Sequence, residues 1–431
     1  MTIPTSLLKQ ADKLQTYYET NYPSLAPLVK GCFLNTIETT VQQLDDGGYF
    51  VITGDIPAMW LRDSASQVGL YTRFAAQDTE LQTILESVIS KQAELVLRDP
   101  YANAFTALES DPSAGYPDDT KMYPGVWERK YEVDSLTAPI LLAYKYWKAT
   151  GKKTFFDDTW KQAAESILNV YCTEQNHADS DYYFKRTDCP ETDTLPCDGK
   201  GNPVAYTGMT WSGFRPSDDR CVYGYLVPSN MAAVVAMEEL QEIAEQVYGD
   251  QDLASRASSL AKKIEAGISK YGIVEHPTYG SIYAYEVDGL GNSVLMDDAN
   301  APSLLGIPYL GYRNRGDEVT ENTRKFILSD SNPYYYKGKF ASGIGSPHTP
   351  DGYVWHIALV MQALTSEDRS EILSILDMLA GTHGGTNFMH ESFDPDEPET
   401  YTRSWFAWAN TLFAELLQNL MEEDFFNAVG V

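Results

Sequence analysis

Positive charge is scarce in this sequence. Lysine and arginine total 32 of 431 residues against 61 aspartates and glutamates, giving a net charge of −29 and a pI near 4.5. Such a surface repels phosphate backbones, and no basic patch interrupts it, so nucleic acid is excluded as a partner. The acidity otherwise reads as solubility. Long apolar runs are missing as well. None approaches the roughly 20 residues needed to span a bilayer. The opening "MTIPTSLLKQADKLQ" has no basic segment followed by an apolar one. The expectation is a cytoplasmic chain with no membrane partner. Cysteines are few and odd in number: Cys32, Cys172, Cys189, Cys197 and Cys221. Their spacing matches no zinc pattern, and free thiols are expected. Cys189 and Cys197 bracket "CPETDTLPC" and pair only if oxidised. There is no phosphate-binding loop, and "GLGNSV" lacks the third glycine and the strand-to-helix context of a dinucleotide fingerprint. The Gly-x-Ser-x-Gly nucleophile elbow does not occur. No cofactor is implied.

The chain does have enough apolar residues for a large core, at 43%. It is also rich in aromatics with a polar tip, with 29 Tyr and 8 Trp. Such rings suit the two-sided chemistry of a sugar, although many must be core. Apolar periodicity and capping residues predict helices at about 5–20, 24–43, 62–77, 79–98, 133–150 and 154–175. Further helices are predicted at about 228–248, 250–270, 352–365, 367–383 and 403–423, with weaker ones at 300–306 and 318–329. Gly151 and Gly249 close two of them, Asp250 caps one, and Thr154 with Asp157 resembles a capping box. "GGYFVITGD" alternates as a short strand, and "DGLGN" turns a hairpin.

About twelve helices thus fall into consecutive hairpins with long loops between some of them. No hairpin buries both its faces alone. Six closing into a ring do, which predicts an all-α (α/α)6 toroid, residues 1–431 as one domain, with loops and short strands at a pocket mouth. A solenoid is the rival, but no fixed repeat of 30–45 residues is visible.

The polar motifs lie on the loops. "GDIPAMWLRDSA" sets Arg62 and Asp63 beside Trp60 at a loop-to-helix junction, an arrangement that often grips something polar. "WSGFRPSDDRCVYGYLVPSN" carries Asp218 and Asp219; either is also explained as an N-cap or turn carboxylate. "GTHGGTNFMHESFDPDEPETYTRSWFAWAN" packs His383, His390, Glu391, Arg403 and Trp405 into thirty residues. His390-Glu391 does not continue as HExxH, and a metal held by His383, His390 and nearby carboxylates fits no spacing rule. "LMDDANAPSLLGIPYLG" carries Asp298, "GIGSPHT" carries His348, and "YPDDTKMYPGVWERKYEVDSL" carries Glu128. Loop carboxylates, arginines and aromatics are the inventory of glycoside hydrolysis. That reaction needs one carboxyl to protonate the leaving oxygen and a second to activate water or attack.

In this order, "GDIPAMWLRDSA", "FRPSDD", "MDDANAPSLLGIPYLG", "GIGSPHT" and "HGGTNFMHESF" resemble the motifs of glycoside hydrolase family 125, the metal-independent exo-α-1,6-mannosidases. The resemblance covers essentially the whole chain. It implies an (α/α)6 fold and release of terminal mannose with inversion and without metal. It makes Asp218 the general acid and Glu391 the general base. Arg62 and Asp63 would hold the terminal mannose, with Trp60 shaping that floor. Glu128, Asp219, Asp298, His348, His390, Arg403 and Trp405 complete the candidate sugar-binding set. Asp219 is the expected neighbour that raises the acid's pKa, and His390 or Arg403 the expected support of the base. The partner implied is a mannose-containing oligosaccharide, acted on by a monomer or weak oligomer. Two other readings remain open: another inverting (α/α)6 exo-glycosidase, for example a glucose-releasing one, and a silent mannoside-binding protein.

Overall fold

The computed structural model describes residues 2–427. Met1 and residues 428–431, which the one-domain expectation includes, lie outside the described residues. Thirteen helices are labelled here in chain order. They are α1 (Thr5–Asn21), α2 (Ala26–Thr39), α3 (Leu61–Gly69), α4 (Thr79–Arg98), α5 (Val133–Thr150), α6 (Asp158–Glu174), α7 (Val227–Ile243), α8 (Gln251–Gly267), α9 (Ile307–Leu310), α10 (Glu318–Ile327), α11 (His356–Leu364), α12 (Arg369–Gly381) and α13 (Ala407–Glu422).

Six of them, α3, α5, α7, α9, α11 and α13, surround a central cavity. Ala65, Thr137, Ala232, Tyr309, Met361 and Leu412 are one lining residue from each. The others form an outer layer. Helix α4 packs on α5 and α6, α8 on α7, α12 on α11, and α2 on α13, with α1 outside α2. Arg324 ties α10 to the α11–α12 corner through Thr365 (2.8 Å) and Glu371 (2.9 Å). The apolar core runs without a break from Leu7 to Phe425. The ring closes where α13 meets both α11 and α3. There Tyr18 Oη donates to the Leu417 carbonyl (2.9 Å) and Gln10 Nε2 to Gln418 (2.7 Å). The (α/α)6 toroid expected from the hairpins is therefore present. Among the described residues, no helix is long and apolar enough to cross a membrane.

The two layers start their helices differently. In the outer layer, Asp78, Asp157, Asp250, Asp317 and Asp368 each accept a backbone N–H of the first turn. Such caps satisfy donors that a helix start leaves open. In the inner layer, Trp60, Glu132, Leu226, Gly306, Trp355 and Phe406 occupy the cap positions and give no side-chain cap. Short strands lead into three of these helices instead. Met59–Trp60 pairs with Ala104–Phe105, Tyr225–Leu226 with Glu286–Val287, and Val354–Trp355 with Ser392–Phe393.

Some element expectations need correction. The α-helix predicted at 62–77 ends at Gly69 and continues as a 3₁₀ helix, Leu70–Gln77. Residue 154 does not open α6, because Asp157 is the residue that caps it. No helix spans 300–306. Asp297 instead accepts Leu304 N and Leu305 N (both 2.9 Å), and the helical turn begins at Ile307 with a proline in its first positions. The "DGLGN" hairpin is present, pairing Glu286–Val287 with Ser293–Val294.

Candidate active site

Gly54 sits at φ +139°, and a Cβ there would lie 2.3 Å from the Trp405 carbonyl oxygen. Only glycine fits this approach. It brings residues 53–56 against the start of α13, where Gly54 bridges Phe406. Six residues on, Trp60 ends its strand and α3 begins, which drives Arg62 and Asp63 into the ring. Arg62 Nη1 lies 2.5 Å from Glu132 Oε2 and 2.9 Å from Asp134 Oδ2. Its Nη2 lies 3.5 Å from Asp63 and 3.8 Å from Asp218. A single buried guanidinium thus faces four carboxyl groups. Asp63 is pushed up by burial, and Arg62 works against that shift.

Asp218 comes from a tight turn in which Arg215 N donates to the Asp219 carbonyl and Asp218 N to the Arg215 carbonyl. The turn is anchored by a buried ion pair, Arg215 Nε to Glu286 Oε1 at 2.6 Å. Asp218 itself has φ +67°, a left-handed conformation that side chains rarely adopt. Its Oδ1 accepts from Asn103 Nδ2 (3.0 Å) and Trp60 Nε1 (3.3 Å), and its carbonyl from Lys130 Nζ (2.8 Å). Burial pushes Asp218 up. A hydrogen bond with Glu132 and the charges of Arg62, Lys130 and His348 outweigh burial and hold it below the usual carboxylate range. Glu132 goes the other way, raised well above that range by burial and by the Asp218 and Asp134 carboxylates.

The expected neighbour, Asp219, does not serve the acid in this way. Its Oδ1 lies 3.0 Å from His348 Nδ1 and turns that imidazole to the pocket. Burial lowers the His348 pKa, but the Asp219 hydrogen bond and the carboxylates of Asp219, Glu391 and Asp218 overcome it and push His348 to about 9.

Glu391 precedes the strand Ser392–Phe393 and is buried in the pocket wall. Its Oε1 lies 3.7 Å from Arg403 Nη1. Arg403 has φ +45° and is held on its other side by Asp55, to which Nε donates at 3.0 Å. Arg403 is thus the support of Glu391. His390 is not: it is fully buried, stacks on Tyr401 at 3.7 Å between ring centroids, and bonds Thr386 and the His383 and Arg403 carbonyls.

Trp60, Arg62, Asp63, Asp218, His348, Glu391 and Arg403 line one pocket. It opens where the uncapped inner helices begin, with Trp60, Trp355 and Phe406 as three of their cap positions. Four residues proposed for sugar contact lie behind it. Glu128 accepts Arg186 (2.7 Å) and Asn103 (3.1 Å). Asp219 orients His348. Asp298 accepts both N–H groups of Asn300 (3.2 and 3.3 Å), and Asn300 is the residue that lines the pocket. Trp405 turns its Nε1 to Thr39 (3.1 Å) while its neighbours Phe406 and Trp408 line the pocket. His390 is the fifth residue displaced. Thr53, Ile56, Asn300, Trp355, Phe406 and Trp408 were missed; their one shared signal is a position beside an inner-helix start or a motif residue. Among the described residues, no group of three His, Cys, Asp or Glu side chains is arranged to hold a metal ion.

Comparison with known proteins gives this geometry a family. The family model of metal-independent α-mannosidases matches residues 22–418. The Meiotically up-regulated gene 157 protein of Schizosaccharomyces pombe is 43% identical over 421 residues, covering 92% of this chain and 82% of its own. A Streptococcus pneumoniae metal-independent α-mannosidase, solved as a non-productive complex with α-1,6-mannobiose, is 45% identical. It covers 98% of this chain and 100% of its own, with a TM-score of 0.95. A bacterial glucoamylase complexed with acarbose shares the fold alone, at 12% identity and a TM-score of 0.58 over 97% of this chain and 57% of its own. The chain therefore belongs to glycoside hydrolase family 125 and is a metal-independent α-mannosidase.

Proposed function

We propose that this α-mannosidase removes terminal α-1,6-linked mannose from oligomannosides with inversion, as a single catalytic domain. The observation that carries the reading is the meeting of Asp218 and Glu391, from separate loops, in one pocket that also holds Arg62 and Asp63. Asp218 protonates the glycosidic oxygen. Glu391, ionised beside Arg403, takes a proton from the water that attacks the anomeric carbon. Inversion needs room for that water between the second carboxylate and the sugar, with carboxyl groups roughly 6.5–9.5 Å apart. Arg62 and Asp63 bind hydroxyls of the terminal sugar, and Trp60, Trp355, Phe406 and Trp408 present its apolar walls. The α-1,6 linkage rests on the disaccharide held by the S. pneumoniae relative.

Proton NMR of α-1,6-mannobiose mixed with the protein and EDTA tests this. Early β-mannose is expected. Early α-mannose would remove the water-activating role of Glu391, and cleavage of an α-1,2 or α-1,3 isomer alone would remove the linkage. Asp218→Asn and Glu391→Gln should each lower kcat by roughly 10²-fold or more.

A further inference from the structure

This inference rests on the assignment of Asp218 as the acid. An acid must carry a proton when substrate arrives, yet Asp218 sits among groups that favour its carboxylate. Trp60 and Asn103 both donate to its Oδ1, and Arg62 and Lys130 stand beside it. The proton has to be held elsewhere.

The local balance of charge favours holding one among these carboxylates. Arg62 alone faces Asp63, Glu132, Asp134 and Asp218. The next cation, Lys130, is shared with Glu128 and Asp193. Burying so many carboxylates around so few cations is costly, and a retained proton removes that cost. Glu132 and Asp134 are the least exposed of the four, each at 1%. From its own helix start, Asp134 and the Ser135 hydroxyl face it, with Ser135 Oγ 2.7 Å from Oε2. Arg62 reaches it from α3, Asn103 Nδ2 from the adjoining strand at 3.5 Å, and Asp218 and the Cys221 thiol from the loop before α7. Asn103 Nδ2 reaches Asp218 Oδ1 at 3.0 Å and Glu132 Oε1 at 3.5 Å, and Arg62 touches both groups, so the two carboxyls stand side by side and a proton held between them relieves their repulsion.

We propose that Glu132 is a positioning residue that stores the catalytic proton behind Asp218 and hands it forward during cleavage. The Glu132 O–H bond breaks and the proton passes to the Asp218 carboxylate. Asp218 gives it to the glycosidic oxygen, which keeps the electron pair of the breaking C1–O bond. Water bonds to C1 and loses a proton to Glu391. Both Asp218 and Glu132 end as carboxylates and Glu391 as a carboxylic acid. Solvent exchange returns a proton to Glu132 and takes one from Glu391 once the products leave.

Leaving groups separate this role from a structural one. 2,4-Dinitrophenyl α-mannoside needs no proton on departure, whereas α-1,6-mannobiose does. Glu132→Gln should lose about 10²-fold or more in kcat on mannobiose and less than about tenfold on the aryl mannoside. The alkaline limb of kcat/KM should move down by at least about one pH unit, since Asp218 loses the neighbouring carboxyl that shares its proton while its cations and donors stay. Glu132→Asp should restore part of both. Equal losses on the two substrates, or an unmoved alkaline limb, would overturn the proposal. Asp218→Asn run beside them separates the two readings. If it shows no leaving-group dependence, the acid assignment itself falls; if it does and Glu132→Gln does not, only the storage role falls. Should Glu132→Gln not fold, infrared difference spectra decide. The protonated-carboxyl C=O stretch of the wild type at pH 7 should shift in Asp218→Asn, and an unchanged band would overturn the proposal.

Discussion

His348 faces the pocket as an imidazolium because Asp219 holds its Nδ1 and because Glu391 and Asp218 add negative charge from the pocket side. Its folded pKa, about 9, lies above the ordinary value of about 6.5. It therefore adds stability that is fully present below about pH 6.5 and is lost as the pH rises through about 9. The difference in denaturant midpoint between wild type and His348→Gln should close over that range. NMR of the His348 ring should give a midpoint near 9, falling toward 6.5 in Asp219→Asn. A third of the side chain is exposed, so salt should weaken the effect. The Asp218-Asp219 pair also marks how far a sequence can be read here. Both carboxylates were visible in "PSDD", but which one enters the pocket depends on the φ +67° of Asp218. Glu128 and His390 were misread for a related reason. A polar residue in a motif serves equally well behind the pocket wall, where Glu128 meets Arg186 and His390 meets Tyr401.

At the level of elements, the division between capped outer helices and uncapped inner ones has a functional side. A helix start carries open N–H groups and the positive end of the helix dipole. The inner helices leave these at the pocket, where Asp63 and Asp134 occupy first turns. Five of the seven outer helices close theirs with aspartate, and those caps are purely structural. Asp157→Ala should therefore cost about 1 kcal/mol, seen as a lower thermal midpoint, while kcat/KM stays unchanged. A fall in kcat/KM would show that α6 reaches the site. Of the outer caps Asp250 was legible, and the glycines after the inner α5 and the α7 segment were local signals too. Three inner starts, expected at 62, 133 and 228, fall within a residue of those observed, but 352 and 403 were expected where α11 and α13 begin at 356 and 407. Their boundaries are set by strand pairs with distant residues, such as Val354–Trp355 with Ser392–Phe393. Local periodicity does not contain that partner.

For the whole molecule, the number of hairpins was enough to infer a ring, because amphipathic pairs must cover one another's faces. What the count does not contain is which residues the ring brings to its mouth, since Arg62, Glu132, Asp218 and Glu391 meet only through long-range closure. That closure runs through α13, which lies between α11 and α3 and carries the Leu417 and Gln418 contacts to α1. Synthesis has a direction, and α13 is the last of the thirteen helices to leave the ribosome. Until it arrives, the nascent chain holds the first twelve helices without the one that joins their two ends, and Tyr18 has no Leu417 to bind. Contacts spanning some 400 residues also make the final step slow. A chain released at residue 402 should stay open to protease in pulse proteolysis, while the full chain resists. The enzyme thus spends its whole synthesis as an unclosed ring with apolar helix faces bare, the interval in which a chaperone would matter most.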